Sequence, residues 1–142
     1  MLKNAEFTAK LRSSGLRPTK QRLKICEVLF NRDTTFHFTI NDLARNISEE
    51  LREKISLATV YNTVHAFKNK GYLKEISINS DKSYFDTNIT NHHHFFDEDT
   101  NELIDCGDDV IENLKVKKNT TGKKINSVEV LIKVATDNQN QK

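Results

Sequence analysis

Cysteine, proline and long apolar runs are scarce in this 142-residue chain, and their scarcity excludes several classes of protein. The two cysteines, Cys26 and Cys106, lie far apart and outside any C-x-x-C pair, so we expect neither a disulfide framework nor a four-thiolate zinc site. No stretch approaches the ~20 apolar residues that a membrane span needs. The segment Met1–Gly15 alternates charged and apolar side chains where a signal peptide would have an apolar core, so we expect a cytoplasmic protein.

Charge is divided unevenly along the chain. Residues 1–86 carry 15 Lys and Arg against 10 Asp and Glu, whereas residues 87–142 carry 7 against 10. All six arginines lie in the first half, and the segment Asp97–Glu112 contains eight acids and no Lys or Arg. The basic first half suits a polyanion such as DNA, and the acidic second half suits cations or a partner subunit.

Periodic apolar side chains and capping residues predict four helices in the first half of the chain. The first begins near Ala5, the second has Pro18 in its first turn, and the third and fourth open at Thr39 and Ser56. Thr39 and Asp42 form a near capping box, and Gly71 is placed to end the fourth helix.

The fourth helix has the composition of a DNA-reading helix. Val60, Val64 and Phe67 recur on one face, and we expect that face to be buried. Near the N-terminal end the pattern predicts that four side chains point away from the core: Thr59, Tyr61, Asn62 and Thr63. Polar and amphipathic side chains of these kinds can contact base edges and phosphates.

The segments "YLKEISI" and "KSYFD" follow this helix on either side of "NSDK", and they predict a β-hairpin. Helices followed by a hairpin predict a winged helix-turn-helix with the fourth helix as the recognition helix. A small helical module that uses the same apolar stripe only for packing is the alternative.

The second half predicts a small α/β unit. Strands "HFF" and "ELID" flank the turn "DEDTN", a helix follows from about Asp108 to Lys118, and "SVEVLIKVA" predicts a last strand. A unit with so few elements buries little apolar surface. We therefore expect a second copy of the chain to complete its core. The predicted fold is α+β, with a winged-helix domain in residues 1–86, a dimerisation domain in residues 87–135 and a polar, frayed tail in residues 136–142.

Three adjacent histidines, His92, His93 and His94, open the second half. Alternate side chains of a strand face the same way, so His92 and His94 can share one ion while His93 faces the other side. A solvated polar turn is the plainer interpretation. A small metallohydrolase built on H-x-H-x-x-D is the enzymatic one, but no histidine follows His94 to complete its ligands.

The segments "GLRPTKQR", "SLATVYNTVHAF" and "HHHFFDEDTNELID" occur in an order and spacing that resemble the ferric uptake regulator (Fur) family over nearly the whole chain. "ATVYNT" together with the histidine segment resembles the iron response regulator (Irr) branch. The resemblance implies a cytoplasmic transcription regulator and not an enzyme. It implies a homodimer or a tetramer that binds AT-rich palindromic operators of double-stranded DNA and controls iron and haem metabolism genes. Another metal- or peroxide-sensing repressor of the family, and a DNA-binding scaffold with an inactive sensor, stay open.

The resemblance also implies the residues that contact DNA. Tyr61 matches a tyrosine that packs against thymine methyls, and Arg17 matches a basic residue that enters the minor groove. Arg22 and Thr59 match positions that hold phosphates. Asn62 stands where the family has arginine, and its amide can pair with adenine.

For ligands, the resemblance implies a sensory site of His37, Asp86, His92 and His94 that binds Fe(II), Mn(II) or Zn(II). A second, poorer site would use His93 and Glu112. The family's further ligand on the last strand falls near Val128, which is apolar, with Glu129 beside it as a substitute. Haem bound by His92, His93 and His94 is the alternative ligand.

The family's structural zinc, held by two C-x-x-C pairs, is predicted to be absent. Asp97 and Thr100 replace the first pair, and an aspartate with a hydroxyl cannot stand in for two thiolates. Cys26 lies on an apolar helical face and is predicted to be a core thiol. Cys106 lacks the following proline that would support a haem thiolate.

Overall fold

A computed structural model describes residues 4–139 of the chain. Its internal contacts divide the chain into two units, residues 1–89 and residues 90–142. The division lies three residues beyond the predicted domain boundary after Asp86.

Seven elements form the first unit. The helices are α1 (Asn4–Ser13), α2 (Lys20–Phe30), α3 (Ile40–Leu51) and α4 (Leu57–Asn69), and the strands are β1 (His37–Phe38), β2 (Lys74–Asn79) and β3 (Lys82–Asp86). Three strands form the second unit: β4 (His94–Asp97), β5 (Glu102–Asp105) and β6 (Leu131–Val134). The predicted α+β fold is therefore confirmed.

Hydroxyl caps fix where α2, α3 and α4 begin. The side chains of Thr19, Thr39 and Ser56 accept hydrogen bonds from the backbone N–H groups three residues later. At α3 the Asp42 carboxylate also accepts the Thr39 N–H at 3.1 Å, which completes the predicted capping box. Burial raises the pKa of Asp42, but hydrogen bonds from Thr39 and the Arg45 side chain outweigh burial and hold that pKa below its ordinary value.

The core of the first unit is apolar and rich in phenylalanine. It includes side chains from every helix and from the strands. Its most buried members are Ile25, Leu29, Phe38, Leu43, Ile47, Val60, Val64 and Phe67. Cys26 is part of this core, and burial raises the pKa of its thiol to about 12, so the predicted core thiol is confirmed.

A three-stranded antiparallel sheet in the order β1-β3-β2 closes the first unit. The predicted hairpin is β2 and β3, and the sequence did not predict that β1 pairs with it. In that pairing His37 lies opposite Asp86, and Phe38 lies opposite Phe85. The two residues of β1 thus form two neighbouring cross-strand pairs with β3, one polar and one aromatic.

The second unit contains a sheet in the order β5-β4-β6. β4 and β5 form the predicted hairpin, with His94 opposite Asp105, and β4 and β6 run parallel. The turn is tight because the Asp97 carboxylate accepts the N–H groups of Asp99 and Thr100, while Asn101 adopts a φ of 59°.

Two predictions for the second half are wrong. Asp108–Lys118 is irregular rather than helical, and only Leu131–Val134 of the predicted strand Ser127–Ala135 pairs with a neighbour. Val110, Leu114 and Val116 have 44–51% of their surface exposed, so the apolar side of the predicted helix is only about half covered in its own unit. Such short helices are stable only when one face is covered by tertiary contacts.

The predicted polar tail has no regular structure in residues 136–139, and its last residues, 140–142, lie outside the described range. Among residues 4–139, no helix has the length and apolar character that crossing a membrane requires.

Candidate metal centre and DNA-reading surface

Three ligand-type side chains of the second unit converge at the start of β4 and the end of β5. The Asp105 Oδ1 lies 3.2 Å from the Nε2 of His92 and 3.1 Å from the Nε2 of His94. The two imidazole rings have centroids 4.3 Å apart, and His94 is buried. The hairpin register produces this arrangement because it sets Asp105 directly opposite His94.

A hydrogen bond orients the His92 ring. Its Nδ1 lies 2.7 Å from the Thr90 carbonyl oxygen, which only accepts, so Nδ1 carries the proton. In the neutral ring the lone pair is then on Nε2, the atom directed at Asp105. Protein groups commonly fix metal-binding histidines in this way through the second ring nitrogen.

His93 faces a different set of groups. Its Nδ1 accepts the Val130 N–H at 2.8 Å, and its carbonyl accepts the Cys106 N–H at 2.9 Å. The ring of His93 therefore connects the start of β4 to the chain that enters β6. A cation at His93 Nδ1 would have to replace the bond from Val130. His93 and Glu112 do line one cavity of about 380 Å³ in this unit.

The first unit contains a histidine–carboxylate pair of its own. The His37 Nε2 lies 3.4 Å from Asp86 Oδ2 across the β1–β3 ladder. Asp86 is fully buried, and its Oδ1 accepts the Asn88 N–H at 2.8 Å. Burying a carboxylate is costly unless cations or hydrogen bonds compensate it, so this pair suits a site that gains positive charge.

The donor atoms in both units are imidazole nitrogens and carboxylate oxygens. Such a set suits Fe(II), Mn(II) and Zn(II), and without thiolates it does not select for soft ions. The nearest thiol is that of Cys106, whose pKa is raised by burial and then by the Asp105 carboxylate beside it. At neutral pH the protonated thiol form is favoured over a thiolate ligand.

The N-terminal end of α4 presents polar side chains outward. Tyr61 is 51% exposed and Asn62 is exposed, while the Thr59 hydroxyl is within hydrogen-bonding distance, 2.8 Å, of the Ser56 hydroxyl. Val60, Val64 and Phe67 are buried, as the sequence predicts. Thr63 is also buried, so the expectation that it points away from the core is wrong. Its position between Val60 and Val64 places it on the packed face.

The predicted cationic residues flank the start of α2. Arg17 is exposed just before the helix, and the Arg22 Nη1 donates to the Arg17 carbonyl oxygen at 3.0 Å. The Thr19 cap orients the same turn through the Arg22 N–H. Arg22 thus holds the backbone that presents Arg17.

The model of the ferric uptake regulator family matches residues 13–133 of the chain. The chain belongs to the ferric uptake regulator (Fur) family. It is 35% identical over 100 residues to the Staphylococcus aureus peroxide-responsive repressor PerR, a match that covers 70% of this chain. The match spans 66% of that relative, which is just under two thirds of its length.

Solved structures of Fur proteins have the same fold. The Vibrio cholerae ferric uptake regulator gives a TM-score of 0.68 at 26% identity, covering 92% of this chain and 99% of that one. The Pseudomonas aeruginosa regulator, solved with manganese, gives 0.66 at 22% identity, covering 91% and 96%. These relatives are regulators and repressors, so this Fur chain belongs to a family of regulators and not of enzymes.

One member of the cluster was missed from the sequence of this Fur chain. Asp105 ends "ELID" and lies opposite His94, yet of these three ligand-type residues the sequence pattern points only to His92 and His94. The signal was present, because four residues on each side of "EDTN" pair in a symmetric hairpin. Counting that register back from the turn would have paired Asp105 with the histidine.

The positions predicted to replace the Fur family's first C-x-x-C pair, Asp97 and Thr100, lie in the β4–β5 turn. The Asp97 carboxylate caps that turn by accepting the Asp99 and Thr100 N–H groups, and the Asp99 carboxylate accepts the Thr136 N–H at 2.5 Å. These carboxylates therefore hold the turn and the chain beyond β6 by hydrogen bonds.

Proposed function

We propose that the chain is a metal-responsive, DNA-binding transcriptional repressor that acts as a homodimer in the cytoplasm. The observation that carries the proposal is the convergence of His92, His94 and Asp105 on one point. One carboxylate oxygen lies within 3.2 Å of both imidazole nitrogens there, an arrangement that suits a bound cation.

We propose that His37 and Asp86 complete the same site. Neither half is a full ligand set for a divalent ion, since one offers three side chains and the other two. Only five residues, 87–91, connect Asp86 to His92, so the chain can bring both sets to one ion. An ion shared in this way would restrict how the two units move.

Occupancy would then set the separation of the recognition helices in the dimer. A palindromic operator tolerates only separations near a whole helical turn of DNA, so a small change in orientation alters affinity. Tyr61, Asn62, Thr59, Arg17 and Arg22 are the proposed DNA contacts. Arg17, Tyr61 and Asn62 are exposed near the starts of α2 and α4, which supports this role, and Arg22 and Thr59 are half-buried close to them in sequence.

The signal is proposed to be Fe(II) or Mn(II). A peroxide response is the second candidate, and the 35% identity to a peroxide-responsive repressor favours it. The haem-responsive Irr branch stays a prediction. The raised pKa of the Cys106 thiol disfavours it as a thiolate ligand for haem, and the His93 ring already accepts a backbone N–H.

The test is operator binding by the purified chain, using duplexes selected from a random pool. Affinity is measured in chelator, with Fe(II), Mn(II) or Zn(II), with haem, and with Fe(II) or Mn(II) after exposure to peroxide. The proposal expects a metal to change affinity at least tenfold. Equal affinity with chelator and with each metal would contradict it, and a change with haem alone would favour the Irr branch.

A further inference from the structure

Tyr61 shares the exposed surface of α4 with an aromatic neighbour, His65. The two ring centroids are 4.2 Å apart, with an angle of 44° between the planes. The residues are one helical turn apart, a spacing at which side chains meet on the helix surface. Tyr61 is half exposed, and His65 is half buried beneath it.

The other side of the His65 ring rests on the core. The Phe85 ring meets it edge to face, with centroids 5.5 Å apart and planes at 84°. Phe85 is 2% exposed and stacks on Phe38 at 5.9 Å. The imidazole is therefore held between the exposed tyrosine and a fixed pair of buried phenylalanines.

A third element stands near the same ring. Glu75 of β2 is paired with Lys68 of α4 at 3.1 Å, and it lies close enough to His65 for the two to interact electrostatically. Groups from α4, β2 and β3 therefore surround the imidazole. A side chain so supported has few orientations, and it restricts whatever rests on it.

We infer that His65 is a positioning residue for DNA reading, one that holds the Tyr61 ring in the orientation in which its outer face meets a base. The identity of the target as DNA rests on the proposed function, but the ring contact exists in the protein alone. A tyrosine side chain that is already ordered in the free protein loses little conformational entropy when it binds DNA. The free energy saved in this way raises the affinity for DNA.

The same strand pair supports the metal half-site of the first unit. Two phenylalanines of the β1–β3 ladder support His65. Phe38 is adjacent in sequence to His37, and Phe85 is adjacent to Asp86. His65 is therefore the link between Tyr61 and the ladder that carries those two ligands.

The first test uses the ligand-free protein and NMR of its aromatic side chains. The chain has three tyrosines and no tryptophan, so Tyr61 is assigned by comparison with Tyr61→Phe. We expect a nuclear Overhauser effect between the Tyr61 and His65 rings. We also expect His65→Ala to move the Tyr61 ring signals toward unstructured values, and His65→Phe to keep them dispersed. An absent ring-to-ring effect would overturn the inference even if the variants do not fold.

The second test measures affinity for a selected operator. His65→Ala should weaken binding roughly three- to tenfold, the cost of immobilising one freed side chain. His65→Phe, which restores the ring, should recover affinity to within about twofold. Asn69→Ala, an exposed substitution at the end of α4, is the matched control and should bind as the wild type does.

A readout specific to Tyr61 separates positioning from general weakening. Replacing thymine by uracil in the operator removes the methyl groups that an aromatic ring contacts. The wild type and His65→Phe should lose affinity on this change, whereas His65→Ala should lose less. A folded His65→Ala that binds and discriminates like the wild type, or a His65→Phe as weak as His65→Ala, would overturn the inference. Metal-independent DNA binding with the NMR result intact would contradict only the proposed function.

Discussion

Asp105 is the residue on which the proposed metal site of the second unit depends. Its Oδ1 is the atom common to both close contacts, with His92 and with His94. The histidines could be singled out from the sequence because alternation in a strand is a local rule. Asp105 could not be found by that rule, because its position follows from the register of two strands and not from its own neighbours.

Asp105→Asn should therefore lower metal affinity. The change keeps the size of the side chain but removes its negative charge from beside two imidazole nitrogens. We expect Mn(II) or Zn(II) affinity to fall by at least about tenfold in competition titrations with a chelator. Glu102→Gln, an exposed neutralisation on the same strand, is the control and should leave affinity unchanged. Equal losses in both variants would show a general electrostatic effect instead of ligation.

Arg17 gives a second prediction at this scale. It is exposed beside the start of α2, and its backbone is held by Arg22. Arg17→Ala should weaken operator binding and lower the slope of log affinity against log salt by about one, because one cation leaves the field of the DNA. Tyr61→Ala should weaken binding and leave that slope unchanged. Identical salt slopes in Arg17→Ala and the wild type would count against a DNA contact for Arg17.

At the scale of elements, local signals predicted the first unit well. The caps at Thr39 and Ser56 and the stop at Gly71 are properties of a few adjacent residues, and the helices begin and end near them. β1 escaped prediction because a strand of two residues exists only through its pairing with β3. The helix expected over Asp108–Lys118 was wrong, and its apolar side chains Val110, Leu114 and Val116 are only about half covered in their own unit.

The cap of α3 makes a prediction about acid stability. Thr39 and Arg45 hold the pKa of Asp42 below its unfolded value despite partial burial. A carboxyl group with a depressed pKa in the folded state stabilises the protein above its unfolded pKa, and that contribution is lost as the pH falls through the folded pKa. Asp42→Asn should therefore lower the free energy of unfolding at neutral pH and lose less stability on acidification, measured by urea unfolding between pH 7 and pH 3. Parallel pH curves for the two proteins would contradict this account of the cap.

At the scale of the whole molecule, the second unit has several apolar side chains that its own residues cover only about half. Val110, Leu114, Val116, Ile125 and Val128 are 41–51% exposed. A second copy is the proposed cover, in keeping with the predicted dimerisation domain. The sequence could indicate this need through its shortage of core residues but not the geometry that satisfies it.

The dimer should not depend on a structural zinc. Cys26 is buried in the core of the first unit, and Asp97 and Asp99 are engaged in hydrogen bonds within the second. We expect the dimer to persist in strong chelator, measured by sedimentation, with no stoichiometric zinc by elemental analysis. One zinc per subunit that survives chelation and is lost with Cys106→Ser would contradict this expectation.

The central claim is that metal bound by His92, His94 and their carboxylate partners controls DNA binding. Its most direct test is operator affinity with and without Mn(II) for the wild type and for the double variant His92→Ala, His94→Ala. His93 is retained because its ring accepts the Val130 N–H and supports β6. We predict that Mn(II) changes wild-type affinity at least tenfold and leaves the folded, dimeric double variant unaffected. A double variant whose affinity still responds to Mn(II) as the wild type does would contradict the claim.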